Sequence, residues 1–434
     1  MFGIFSTQSQ KVRRNAADWL ELAEKVHHYR RDVLPEAEWL ELQGAAGKVR
    51  ALLKEKADIA KLKLGIDDLE AALRRSGGQH YPKSSLVENV EFFVVAAIVI
   101  LGLRAFYVQP FKIPTNSMWP SYNGMTGAVF ASKADEPGPA GRVLNFIAQG
   151  ASARRLDAPE AGEVLLPIGT SDGRGLVSYN QIPGRSWLVF PTKLREYGVF
   201  VGQRVVTFKV PLDFDMDWVF RDTYFPGDTR SFAEIVTEKI AQGYLVEGTI
   251  NTAKGPQQVR LLRTGKKVQA GERVLSFDIL TGDQLFVDRV SYHFVRPKVG
   301  DGFVFRTGNI PDLNGDQYYI KRLVGVPGDR IEVREPKLIR NGEPITDVAA
   351  IRRNGEREGR YGGYFNGRPD PRYPKSMLFP GQEITVPSDG YLTMGDNSAN
   401  SLDGRYWGFV PAADVVGRPL LIYYPFTKRW GPAP

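Results

Sequence analysis

The sequence reads as a mainly β protein, with a helical region and one membrane-length helix ahead of the strands. Three observations lead there. Residues 1–83 place apolar side chains at helical spacing. Leu86–Val108 is the only stretch apolar enough to enter a bilayer. From Glu163 onward, short Val-, Ile- and Tyr-rich runs alternate with Gly, Pro and Asp turns, the pattern of antiparallel β structure. A chain of 434 residues with 42% apolar side chains has room for roughly two to four domains, each with a core.

In the first region, Ala16–Val33 carries Leu20, Leu22, Ala23 and Val26 at helical spacing. Pro35 then opens a longer run through Trp39, Leu42, Val49, Leu52, Ile59, Leu62, Ile66, Leu69 and Leu73, which Gly77-Gly78 ends. Charged residues fill the other faces. Residues 1–83 are therefore expected to form a helical hairpin or coiled-coil arm outside the lipid, a surface open to a protein partner.

Phe92–Leu103 is uninterrupted but short for a span. Extended over 86–108 it reaches about 20 residues, enough for a bilayer. Glu88 and Glu91 then sit at one interface, and Arg104 snorkels at the other. Arg74, Arg75 and Lys83 precede the span; Arg104 and Lys112 follow it. The slight bias places the N-terminus inside the cell.

Residues 109–122 come next, and then the texture changes. Asp135–Gly162 reads as loop. Val164–Ile168, Trp187–Phe190, Val205–Val210, Tyr244–Ile250 and Val259–Leu262 read as strands, with one helix, Phe232–Gln242, capped by Ser231 and stopped before Gly243. Gln284–Val295, Phe303–Arg306 and Gln317–Val326 are further strands, and Pro327-Gly328-Asp329 is a turn. Residues 346–383 look irregular, Ile384–Met394 looks like a strand pair, and a last strand runs through Ile422-Tyr423-Tyr424.

Composition removes several chemistries. With no cysteine there is no thiol nucleophile, disulfide or Cys-held zinc. Of four histidines only His293, expected on a strand, follows the apolar segment, so a Ser-His-Asp triad beyond the membrane would depend on it alone. Arg263-Thr264-Gly265-Lys266-Lys267 lacks the earlier Gly and the Ser/Thr of a phosphate loop. The net charge of +8 is spread along the chain and suits anionic lipid headgroups; nucleic acid is not expected as a partner. No metal or cofactor is called for.

Two residues draw attention. Ser117 lies between Pro114 and Pro120, whose fixed φ stiffens the loop. Such a serine is a turn residue or a pre-positioned nucleophile. Lys321, in Tyr318-Tyr-Ile-Lys-Arg-Leu-Val-Gly325, shares a strand face with Tyr319 and Leu323, while Ile320 and Arg322 face the other way. It reads as an edge lysine reaching water or, if stripped of water, as a lysine of lowered pKa able to act as a base.

Three blocks taken together, in this order, resemble the signature segments of bacterial type I signal peptidases. They are Gln109-Pro-Phe-Lys-Ile-Pro-Thr-Asn-Ser117-Met-Trp-Pro120, Tyr319-Ile-Lys321-Arg-Leu-Val-Gly-Val-Pro-Gly-Asp329 and Gly395-Asp-Asn-Ser-Ala-Asn-Ser401-Leu-Asp403-Gly-Arg405-Tyr-Trp-Gly-Phe-Val-Pro411. Gln284–Tyr292, Gly300–Phe305 and Ile339–Gly342 look like the intervening strands. The resemblance implies a signal-peptidase-like antiparallel β catalytic domain and a membrane-bound Ser/Lys endopeptidase acting on signal-peptide-bearing preproteins after Ala-x-Ala. Its place would be the bacterial inner membrane, single-pass, with the catalytic domain outside the cytoplasm.

By position, Ser117 would be the nucleophile and Lys321 the base. Ser401 would hydrogen-bond the Lys321 amine, Arg322 would pair with Asp396, and Asp403 with Arg405 would brace the Ser401 loop. Thr115 would help hold the oxyanion, and Phe111, Ile113, Pro114, Met118, Tyr319 and Ile320 would line shallow substrate pockets. The chain departs from the family at Ala399, Gly404 and Thr115. It departs most in residues 123–281, expected to be an inserted β-rich module, with 282–434 completing the peptidase. Two other readings stand beside this one: a processing enzyme for a restricted substrate set, with the insertion limiting access, and an inactive membrane-anchored scaffold.

Overall fold

A computed structural model describes residues 8–171, 174–186, 190–228, 230–252, 255–313 and 315–434, and the protein divides into two units, Met1–Leu101 and Gly102–Pro434. The first unit holds three helices, α1 (Gln8–Arg30), α2 (Glu36–Lys54) and α3 (Ile59–Ser76). Their apolar stripes meet in one core that includes Ala16, Val26, Leu42, Val49, Leu62, Leu69 and Leu73, as helical spacing dictates. The long second run expected from Pro35 to Leu73 breaks at Glu55–Asp58. There Asp58 Oδ2 accepts the Ala60 N–H at 3.1 Å and caps a new helix, so the arm has three helices rather than a hairpin. α4 (Ser85–Phe106) follows; it has no buried side chain and is long and apolar enough to cross a membrane.

The second unit is built on an eight-stranded antiparallel sheet. Its main strands are β1 (Val108–Lys112), β2 (Gln284–Asp288), β3 (Gly302–Arg306), β4 (Tyr318–Gly325), β5 (Gly390–Met394) and β6 (Val415–Tyr424), in spatial order β1-β2-β6-β3-β4-β5. Among the described residues β1 is therefore an edge strand, paired only to β2. β4 lies inside the sheet, yet its pairing with β5 begins at Arg322, so Tyr318–Lys321 are bonded only on the β3 side. Ile113, Met118 and Tyr122 pack under this sheet with Leu285, Val287, Val304 and Ile422.

Residues 125–279 bury a core of their own, including Val164, Leu166, Val199, Val210, Phe214, Phe220 and Phe277. Around it stand a seven-stranded sheet and a three-stranded sheet that joins Thr126–Val129, Arg273–Leu280 and Ser152–Asp157. The chain leaves and re-enters the eight-stranded sheet at one place. Asn123 N–H donates to Asp283 Oδ2, and Asp283 N–H donates to Asn123 O, both at 2.8 Å.

Several local expectations change. Asp135–Gly162 is not loop: it contains the helix Pro139–Gln149, begun by Pro139 and stopped by Gly150 at positive φ, and the strand Ser152–Asp157. A further helix, Asp217–Tyr224, has no strong sequence cap. Ser231 does cap Phe232–Ala241, through a capping box with Glu234. The Gln284–Val295 strand stops at Asp288, whose carboxylate accepts the Val290 and Ser291 N–H groups and turns the chain, leaving His293 exposed on a 3-10 turn. Residues 346–383 include the helix Ala349–Gly355. Ile384–Met394 is two strands in different sheets rather than a pair, since Glu383–Thr385 bonds to Arg330–Arg334 while β5 bonds to β4. Of the expected Trp187–Phe190 strand, residues 187–189 lie outside the described residues, and a strand runs from Phe190 to Val201.

Candidate active site

The backbone at the end of β1 sets the position of Ser117. Asn116 lies buried: its Oδ1 accepts the Gly124 N–H at 2.9 Å and its Nδ2 donates to Met125 O at 3.0 Å. Asn397 closes the loop from the other side, its backbone N–H donating to Ser117 O and its Nδ2 to Asn116 O, both at 3.0 Å. Gly395 allows this close approach, because a Cβ there would fall 2.4 Å from Ser117 O and 2.2 Å from Ser401 Oγ. The serine is thus fixed by its main chain, leaving Oγ free to react. The Ser117 N–H has no partner among the described residues.

Lys321 reaches Ser117 from β4, with Nζ 2.6 Å from Ser117 Oγ. The side chain is only 5% exposed. Burial disfavours its charged form and brings the amine down to about 8, although the Asp403 and Asp396 carboxylates oppose that fall. The alternative of an edge lysine in water is excluded. On the opposite face of the strand, burial also works against the Arg322 guanidinium, but Asp396 more than offsets it and holds its pKa above the usual value. Arg322 Nη2 and Nε donate to the two Asp396 oxygens at 2.6 and 3.2 Å, with both side chains buried.

Asp403 and Arg405 form a second buried ion pair at 2.8 Å. Arg405 Nη2 donates to Ser398 O at 2.6 Å and to Ser401 O at 3.3 Å, and Asp403 Oδ2 accepts the Gly395 N–H at 2.9 Å. Burial raises the Asp403 carboxyl, yet Arg405 beside it keeps the pKa below the ordinary value. These two residues hold the segment that carries Ser401 and Gly395.

A cavity of about 450 Å³ opens over the Ser117–Lys321 pair. Phe111, Ile113, Pro114 and Thr115 line it together with Tyr319 and Ile320 of β4 and the apolar Leu285, Val287 and Val304. Phe111 and Tyr318, both in the lining, meet edge to face with ring centroids 4.9 Å apart. Arg195, Asp213, Phe214 and Asp215 complete the lining from the 125–279 region. Sequence reasoning did not reach these four, nor Asn116 and Asn397; for Asn397 the signal was its place in the Gly395-Asp-Asn block.

Two expected site residues sit differently. Met118 is fully buried with Tyr122 and Leu285 and does not line the cavity. The tight turn after Asn116, closed by Trp119 N–H donating to Asn116 O, directs it inward. Ser401 makes no hydrogen bond to Lys321; its Oγ is buried without a partner, while the amine points at Ser117. Thr115 lies on the cavity wall and its hydroxyl has no partner among the described residues.

The chain is similar to known proteins over part of its length. The family model described as signal peptidase, peptidase S26, matches residues 271–424. Signal peptidase I of Leptolyngbya laminosa is 31% identical over 35% of this chain and 66% of its own length, so the chain spans just under two thirds of that relative. Signal peptidase I P of Bacillus subtilis subsp. natto is 32% identical over 35% of this chain and 72% of its own. A crystal structure of a signal peptidase I from Enterococcus faecalis V583 is 28% identical, covering 29% of this chain and 97% of that one, at a TM-score of 0.21. With β1 and β4 bringing a serine and a water-stripped lysine together, the family model matching a stretch that includes β4, and a signal peptidase I 32% identical over 72% of its length, the chain belongs to the signal peptidase I family.

Proposed function

We propose that the protein is a membrane-bound serine endopeptidase that removes signal peptides from exported preproteins after small residues, with Ser117 as nucleophile and Lys321 as general base. The observation that carries this reading is the 2.6 Å contact between Lys321 Nζ and Ser117 Oγ, made by a buried amine brought down to about 8. A neutral amine at that distance takes the hydroxyl proton as Oγ attacks the scissile carbonyl. The free Ser117 N–H and the Thr115 hydroxyl meet the oxyanion. When the C–N bond breaks, the Lys321 ammonium returns its proton to the departing amine. Water then attacks the acyl-enzyme as Lys321 takes its proton; the ester C–O bond breaks, and Lys321 returns that proton to Ser117 Oγ, restoring the neutral amine.

The free outer edge of β1 and the unpaired side of Tyr318–Lys321 suit an extended peptide, which would gain main-chain bonds on entering. The shallow apolar walls suit small side chains and exclude bulk. α4 would anchor the chain as a single span with the N-terminal arm in the cytoplasm, and residues 123–281 would be a module added to the peptidase. The test is cleavage of a preprotein with an Ala-x-Ala site by the reconstituted chain. Ser117→Ala and Lys321→Ala should each abolish it; full activity in either removes the dyad.

A narrower reading, a processing enzyme for a restricted substrate set, is favoured by one observation: Arg195, Asp213 and Asp215 from the 125–279 region share the cavity with Ser117. Charge reversal at Asp213 that leaves every preprotein cleaved at its normal rate would remove it.

A further inference from the structure

The 125–279 region does more than border the cavity: its first residues grip the serine loop. Met125 belongs to that region's core. Its N–H donates to Pro114 O at 3.1 Å, and its O accepts a hydrogen bond from Asn116 Nδ2 at 3.0 Å. Gly124 lies so close to the loop that a Cβ there would fall 2.3 Å from Thr115 O. Two residues just before Ser117 are therefore tied to a core that the rest of the region builds.

The residues just after Ser117 meet the helix Asp217–Tyr224. Trp218, in its first turn, packs edge to face on Trp119, with ring centroids 5.4 Å apart. Trp119 stands two residues after Ser117, and its N–H closes the turn onto Asn116 O. The helix has little freedom to slide. Val219 and Phe220 are fully buried, and Val219 sits against Gly127, where a Cβ would fall 2.5 Å from its Cγ2. Phe214, just ahead of the helix, stacks on Phe277 with centroids 5.9 Å apart and also lines the cavity. Trp119 and Trp218 are each only partly buried. Their contact is one aromatic pair of defined geometry between a fixed helix and the reactive loop.

We propose that Trp218 is a positioning residue: by holding Trp119 it keeps Ser117 Oγ within reach of the Lys321 amine, which rests on the reading of Ser117 and Lys321 as the dyad. Met125 fixes the entry to the loop and Trp218 its exit, with Ser117 between them. Lys321 needs no such support, because β4 is bonded into the sheet along β3. The 125–279 region thus supplies part of the frame on which proton transfer depends. A nucleophile that drifts from its base loses rate steeply, even when substrate still binds.

Trp218→Ala should lower kcat on an Ala-x-Ala preprotein about tenfold with KM changed less than about twofold, and Trp218→Phe should restore most of it. Trp119→Ala should cost a similar factor, and the double variant little more than either alone. Val236→Ala is the control, a truncation in the same core that does not line the cavity. It should lower the denaturant midpoint and leave kcat unchanged.

The absence of cysteine allows a second readout that needs no turnover. Ser117→Cys places a lone thiol against the Lys321 amine, whose charged form stabilises the thiolate and lowers the pH midpoint of alkylation by iodoacetamide. Trp218→Ala should raise that midpoint toward the value found with Lys321→Met. Normal kcat in Trp218→Ala, additive losses in the double variant, or an equal loss in Val236→Ala overturns this inference alone. So does a midpoint that Lys321→Met moves and Trp218→Ala does not. A midpoint that neither moves overturns the dyad as well. A chain that cleaves no preprotein, yet whose midpoint responds to both substitutions, overturns the peptidase reading and supports the positioning role.

Discussion

Lys321 and Arg322 are neighbours on one strand, both buried, both cations in water, and the fold treats them oppositely. Arg322 faces Asp396 and keeps its charge through two hydrogen bonds. Lys321 faces a serine hydroxyl, with Tyr319 ring atoms nearby and no carboxylate in ion-pair contact among the described residues, and its pKa falls to about 8. One side of β4 gains rigidity from a paired charge, and the other gains chemistry from an unpaired one. Burial alone therefore does not make a base; burial without a counter-ion does.

The comparison can be broken first at the reactive side. Lys321→Met should lower kcat at least about a thousandfold, or about 4 kcal/mol in the barrier, while leaving the fold intact, because it replaces a desolvated amine with an apolar side chain of similar length. Retained turnover would show that another group takes the proton. In the unsubstituted enzyme the rate should rise with pH through about 8 as the amine loses its proton. The stability signature has the same sign. The folded pKa is depressed, so between about 8 and the ordinary lysine value the unfolded chain binds more protons, and stability rises with pH across that window by about 3 kcal/mol. Denaturant titrations at several pH values should show this rise in the enzyme and its loss in Lys321→Met.

The bracing side should fail differently. Arg322→Met strands a buried Asp396 and should cost about 3–5 kcal/mol of stability. Arg322→Met with Asp396→Leu should recover much of it, read by the denaturant midpoint. A smaller effect is expected at Gly395→Ala, whose Cβ would press on Ser117 O and Ser401 Oγ. We expect about 1–3 kcal/mol lost, with kcat reduced more than KM is raised. Smallest is Ser401→Ala: removing a buried, unpartnered hydroxyl should change stability by less than about 1 kcal/mol and turnover by less than about tenfold. A larger loss, with a shifted pH profile, would restore the hydrogen bond to Lys321 that this structure does not contain.

What the sequence made legible follows the same division. The strand holding Lys321 was readable because alternation alone separates its two faces, and the Arg322–Asp396 and Asp403–Arg405 pairs followed from the motif blocks. Met118 and Ser401 were misplaced because their roles depend on which way a side chain turns inside a tight loop, which neither spacing nor resemblance reports. Pro139–Gln149 was read as loop because its Pro- and Gly-rich flanks resemble a turn region, and its outward apolar face gave no buried stripe to detect. Arg195, Asp213 and Asp215 were out of reach for a different reason: only the three-dimensional return of a long excursion brings them to the cavity.

That return has a consequence for how such a chain can change. Because Asn123 and Asp283 clasp each other through reciprocal hydrogen bonds, the chain between them leaves and rejoins the eight-stranded sheet at one point. Loops within the excursion that lie away from the cavity can change length without moving these two ends, since joining ends already in contact costs little chain entropy. The same return brings Arg195, Asp213 and Asp215 into the lining of the cavity over Ser117, so a change made far along the excursion is felt where substrate would enter.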